Sequence, residues 1–181
     1  MKRRIVAASA LLMLLALPAT ANAQIGIFLG GGATLPQGDY GEYASTGWMG
    51  HLGVLVPISS APGLGVVGVA SYGSNNHEFE GDKTNLFGAQ GGLTYRLGNP
   101  ERTGIFFFGL GGFLNHQYRS EAFPEDEESE GKFAYTGGVG VEIPLSGLSL
   151  WFDGAYTGAG DTKFFGINAG VTILVGGGGG M

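Results

Sequence analysis

The feature that most restricts this chain is a two-faced alternation, seen most cleanly in "LFGAQGGLTYRL", residues 86–97. Phe87, Ala89, Gly91, Leu93, Tyr95 and Leu97 share one face, and Leu86, Gly88, Gln90, Gly92, Thr94 and Arg96 share the other. A period of two belongs to a β-strand and not to an amphipathic helix. The alternation divides the chain into eight segments: 25–35, 46–57, 64–74, 86–97, 105–118, 133–144, 148–157 and 163–175. Most come near the ~9–11 residues that a tilted strand needs to cross a bilayer. Glycine supplies 37 of the 181 residues and opposes helix throughout.

The connections alternate too. Long ones ("PQGDYGEYAST", "NNHEFEGDKTN", "SEAFPEDEESEGK") follow segments one, three and five. Short ones ("ISSAPG", "GNPERTG", "LSG") follow segments two, four and six, and "GAGDT" is a short connection on the long side. Long loops at one end and short turns at the other match an up-and-down transmembrane barrel. Acid collects at the long end: Asp39, Glu42, Glu78, Glu80, Asp82, Glu121, Glu125, Asp126, Glu127, Glu128, Glu130 and Asp161. The stretch 120–132 is expected to be external and mobile, because its acids repel one another and offer little apolar area to bury.

Residues 1–23 are set apart. Lys2, Arg3 and Arg4 precede an apolar run from Ile5 to Leu17, and Ala21-Asn22-Ala23 has the small-x-small form of a cleavage site. This is the order of a helical secretory signal peptide, and the run is short of the ~20 residues of a membrane anchor. Mass spectrometry of membrane-purified protein should find an N-terminus at or near Gln24; an intact Met1 in that fraction overturns the assignment. The barrel is then expected over 24–175, with 176–181 ("GGGGGM") as a flexible tail. There is no cysteine for a disulfide framework, and a net charge of −6 disfavours nucleic acid as a partner.

The polar face carries Gln90, Arg96, Glu142, Asp153 and Asn168. An arginine at the bilayer midplane costs about 2–4 kcal/mol, so this face is assigned to the lumen and the apolar face to lipid. Trp48, Tyr72, Phe87, Tyr118, Tyr135, Tyr156 and Phe165 then fall toward the long-loop end of seven segments, as a girdle of interfacial aromatics. A secreted lipocalin-type binder would invert the faces. It is disfavoured because the first three segments contain no Lys, Arg, Asp or Glu.

With its leader, eight amphipathic segments, loop asymmetry and Gly/aromatic texture such as "GKFAYTGGVGVEIP", residues 24–175 resemble the small OmpA-like, eight-stranded outer-membrane barrels of Gram-negative bacteria. The resemblance implies an all-β, antiparallel, up-and-down barrel in the outer membrane with variable external loops. It implies outer-membrane lipid, lipopolysaccharide and the insertion machinery as partners, and structural, adhesive, immune-evasion or small-solute roles. No peptidoglycan-binding domain is expected after the barrel. One departure concerns the terminal aromatic by which such barrels are read for insertion. The last segment ends "VTILV", and Phe164 and Phe165 stand at its other end.

Chemistry-bearing motifs are sparse. His51 is assigned to the lumen, His77 to an acidic loop and His116 to the lipid face near the rim. No His-x-x-x-His pair and no Cys supplies a zinc signature, so neither metal nor cofactor is expected. Ser120, four residues after His116, pairs poorly with it as a nucleophile. "FPEDEESEGK" lacks the alternate acids and central glycine of an EF-hand loop, and reads as a solvated acidic loop. Arg96 and Glu142 sit at similar heights on the polar face with one strand between them, so they are expected to pair and plug the lumen near the short turns. Asp153 is a second candidate partner for Arg96. The expected role is structural or interactive, with the acidic loops presented to an unidentified ligand, rather than enzymatic. The alternatives are a narrow channel for small or apolar solutes and, with less support, a lipid-modifying enzyme.

Overall fold

The computed structural model describes residues 25–77, 81–120 and 129–176. The leader 1–23, the tail beyond Gly176, Glu78, Glu80 and the acidic residues 121–128 lie outside the described residues. The strands are β1 (Ile25–Gln37), β2 (Gly47–Pro57), β3 (Leu64–Asn76), β4 (Lys83–Leu97), β5 (Gly104–Arg119), β6 (Ser129–Leu145), β7 (Leu148–Ala159) and β8 (Thr162–Val175). A short helix, α1 (Asp39–Tyr43), lies between β1 and β2. Each strand pairs antiparallel with the next, and β8 returns to β1, so the sheet is a closed eight-stranded up-and-down barrel. Closure is what allows β-structure in hydrocarbon, since it leaves no row of unpaired N–H and C=O groups facing lipid.

The strand ends beside the short turns fall within a residue or so of the expected boundaries. At the long-connection end the ladder runs further. β4 begins at Lys83 instead of 86, and β6 at Ser129 instead of 133. There the hairpins leave the apolar layer, and polar residues such as Asn85, Gln117 and Ser129 continue the pairing without an apolar alternation. The two-residue turns at Ser146–Gly147 and Gly160–Asp161 need a left-handed backbone, which Gly147 (φ 84°) and Gly160 (φ 60°) provide without a Cβ penalty.

The lumen is packed through its glycines. On the inner face a bulky side chain lies across a glycine one or two strands away. Trp151 covers Gly30 and Gly170, Phe28 covers Gly53, Phe106 covers Gly140 and Phe108 covers Gly138. Phe28 meets Trp151 edge-on at 6.3 Å, and Phe106 stacks on Phe108 at 6.0 Å. Nearer the long-connection ends, Met49, Leu86, Leu114, Ala134, Ala159 and Phe164 form one buried apolar cluster drawn from six strands. The barrel therefore has a core inside as well as an apolar wall outside.

Candidate functional site: a filled lumen and a capped rim

Outward-facing positions carry the wall. Trp48, Tyr72, Phe87, Tyr135, Tyr156 and Phe165 are all exposed, together with Leu29, Leu52, Leu93, Phe107, Phe152 and Ile167. Trp48 packs on Tyr72 at 5.8 Å, and Tyr135 on Tyr156 at 6.4 Å.

Tyr118 does not join this ring. Register places it opposite Thr84 on the inner face, where its hydroxyl donates to Asp82 Oδ2 at 2.6 Å. His116, expected toward lipid, is also inside, with Nδ1 3.0 Å from Thr162 Oγ1. Both corrections have one cause: "GIFFFGLGGFLNHQYR" is apolar on both faces, so alternation alone does not choose between them. The pairing with β4 chooses instead, and it turns Phe113 outward against Phe87 at 6.2 Å.

Arg96 Nε donates to Glu142 Oε2 at 2.7 Å, and the pair is largely shielded from solvent. The same guanidinium donates to the carbonyls of Asn99, at 2.9 Å, and Arg102. It thus ties the 98–103 turn to β6. Asp153 is not a partner of Arg96. It accepts from Asn168 Nδ2 at 2.8 Å, and Asn168 Oδ1 lies 3.3 Å from His51 Nε2. Asp153 and Asn168 are directly paired across β7–β8, which sets this choice. Above that chain, Thr136 donates to Gln90 Oε1 at 3.0 Å and shares a 2.9 Å hydrogen bond with Thr157. Solvent is shut out at the long-connection end by the apolar cluster, not by the ion pair: Leu86 is 0% and Phe164 3% exposed.

Above the cluster, α1 closes the rim. Alternation could not find this element, because five residues hold no helical period. Tyr40 is 1% exposed, and burial pushes its phenol above the ordinary tyrosine range. Asn75 Nδ2 anchors the descending arm, donating to Thr34 Oγ1 and to the Ser45 carbonyl at 2.9 Å each. His77 bridges to Ala44 and places its ring between Tyr43 and Tyr118, at 5.3 Å from each. Its Nε2 lies 2.8 Å from Thr84 Oγ1. The hydroxyls of Tyr118 and Ser120 hold the Asp82 carboxyl below the usual carboxylate range. Lys132 reaches Glu130 at 3.1 Å and Asp161 at 3.6 Å across the same end. Among the described residues no group of three or more His, Cys, Asp or Glu side chains is placed to hold a metal ion.

A closed eight-stranded barrel with an apolar outer wall defines the class: a transmembrane barrel of the outer-membrane type. Residues 7–176 match the family of the outer membrane protein beta-barrel domain, and the chain belongs to that family. No curated protein sequence matches it. Among solved structures it is similar to Neisserial surface protein A (NspA), with a TM-score of 0.66 at 9% identity, covering 84% of this chain and 98% of that one. It is similar to a major outer membrane protein of Thermus thermophilus, with a TM-score of 0.57 at 15% identity over 84% and 99% of the chains. It is also similar to Ail, the attachment invasion locus protein of Yersinia pestis, with a TM-score of 0.54 at 17% identity over 84% and 97%. At these identities the likeness is one of fold.

Proposed function

We propose that this chain is an outer-membrane anchor whose working surface is its long-connection end, presented to the exterior, and not its lumen. The observation that carries the reading is the buried cluster of Met49, Leu86, Leu114, Ala134, Ala159 and Phe164 across the barrel interior. That cluster stands across any continuous water path through the lumen. Its glycines leave no bore, because Trp151, Phe28, Phe106 and Phe108 occupy the space they open. This disfavours the narrow channel. A lipid-modifying enzyme is disfavoured by the histidines, which bond to Asn168, Thr84 and Thr162 rather than to a serine.

The wall would rest against outer-membrane lipid and lipopolysaccharide, and the acids of the long-connection end would face outward. The Ail structure holds sucrose octasulfate, a heparin analogue. Asp39, Glu42, Asp82, Glu130 and Asp161 at the long-connection end of this chain would repel such a polyanion, so that ligand is not carried over.

Purified protein in planar bilayers should give no steady conductance; stepwise ion-conducting openings would restore the channel. The chain has no cysteine of its own, which makes labelling clean. Asp161→Cys should react with a membrane-impermeant maleimide on intact cells, and Ser146→Cys only after lysis. The reverse order would invert the proposed orientation.

A further inference from the structure

We propose that His77 is a proton-sensitive latch that holds α1 over the end of the lumen, so that acidification releases the cap. Four elements meet at this imidazole. Tyr43 of α1 and Tyr118 of β5 flank the ring, Thr84 of β4 bonds its Nε2, and its backbone follows directly from β3. The His77 amide donates to the Asp82 carbonyl at 2.9 Å, and the Ser45 amide to the Asn76 carbonyl at 2.7 Å. The segment that carries Tyr40 into the barrel end packs on β1 and β8 and is fastened to the end of β3 at Asn75, Asn76 and His77.

Among the described residues, the phenols of Tyr43 and Tyr118 and the hydroxyl of Thr84 pack on the ring. Among charged groups, Asp82 acts on the ring. Asp39, Asp161 and Lys132 act on Tyr43, the α1 side of the latch, and Glu42 lies on the same helix turn. Protonating the closed ring places a cation in a half-buried aromatic slot, which burial opposes and which Asp82 and the faces of Tyr43 and Tyr118 favour. Burial is the larger, and it holds His77 below the ordinary histidine value of 6.5. A released His77 therefore takes up a proton at a higher pH than a latched one. Closure is fully stable above the ordinary value and weakens as pH falls through it.

The test is amide hydrogen exchange on the full chain in lipid nanodiscs, corrected for intrinsic rates, at about pH 7.5 and about pH 5, either side of an ordinary histidine titration. The reporters are Ala44 and Ser45, whose amides bond to the Tyr40 and Asn76 carbonyls. Both should be protected at the higher pH and lose protection at the lower. In His77→Gln, which keeps a donor for Thr84, protection should persist at both. In the wild-type protein the loss should track the NMR titration of the His77 ring, which decides the matter even where the variant fails to close. Protection retained at the lower pH, equal loss in a closed His77→Gln, or loss that tracks carboxylate titration instead would overturn the latch.

Discussion

Gly30→Val and Gly170→Val should each lower the urea midpoint of the barrel in detergent sharply, whereas Gly137→Ala should unfold with the wild type. A Cβ at Gly30 falls into the Trp151 ring and against the Ala169 carbonyl, and a Cβ at Gly170 falls into the same ring and the Leu29 carbonyl. Trp151 is only 8% exposed and has nowhere to swing, and the carbonyls belong to the β1–β8 ladder that closes the barrel. Overpacking of this kind costs about 1–3 kcal/mol, and more where backbone must yield. At Gly137 an added Cβ meets nothing within 4 Å. Equal midpoints for Gly30→Val and Gly137→Ala would show that Trp151 does not need its two glycines.

Arg96→Ala should destabilise the barrel more than Glu142→Ala, although the two side chains form one ion pair. Removing Glu142 ends one charge-assisted bond; removing Arg96 also frees the Asn99 and Arg102 carbonyls and unties the 98–103 turn. A hydrogen bond to a charged group is worth about 1.5–3 kcal/mol, and partial exposure places the Glu142 loss at the low end. The double variant should cost less than the sum of the singles. Its urea midpoint, set against those of the singles, measures that coupling. Strict additivity, or a larger loss from Glu142→Ala, would remove the ion pair as a determinant of stability.

What the sequence disclosed depended on which solvent each face meets. The lipid-facing wall imposes a strict apolar requirement at every second residue, so β4 and β6 to β8 could be oriented from their side chains alone. β5 could not. Its inner Phe106, Phe108, Leu110 and Leu114 are as apolar as its outer Ile105 and Phe107, because the lumen is itself a core. Tyr118 and His116 were misplaced for that reason. Arg96 and Glu142 were legible because a charge on an otherwise apolar segment has few places to go. Their third-party bonds to the Asn99 and Arg102 carbonyls were not, since backbone acceptors leave no mark on the sequence. α1 was hidden for a different reason. Its position depends on Thr34 in β1 and on Asn75 and His77 at the end of β3, two places far apart in the chain.

The apolar cluster inside the barrel also bears on how the barrel comes together. Its members come from β2, β4, β5, β6, β7 and β8, and the ladder from Ile25↔Val175 to Gln37↔Lys163 joins the first described strand to the last. Neighbouring hairpins are local contacts with small loop-closure entropy. The final seam joins strands that are almost a full chain length apart. A ring short of that seam would leave two bare edges in hydrocarbon and a cluster open on its Phe164 side. Partial arcs of this sheet are therefore disfavoured on both surfaces at once. The barrel should close as a single cooperative event, governed by the arrival of β8.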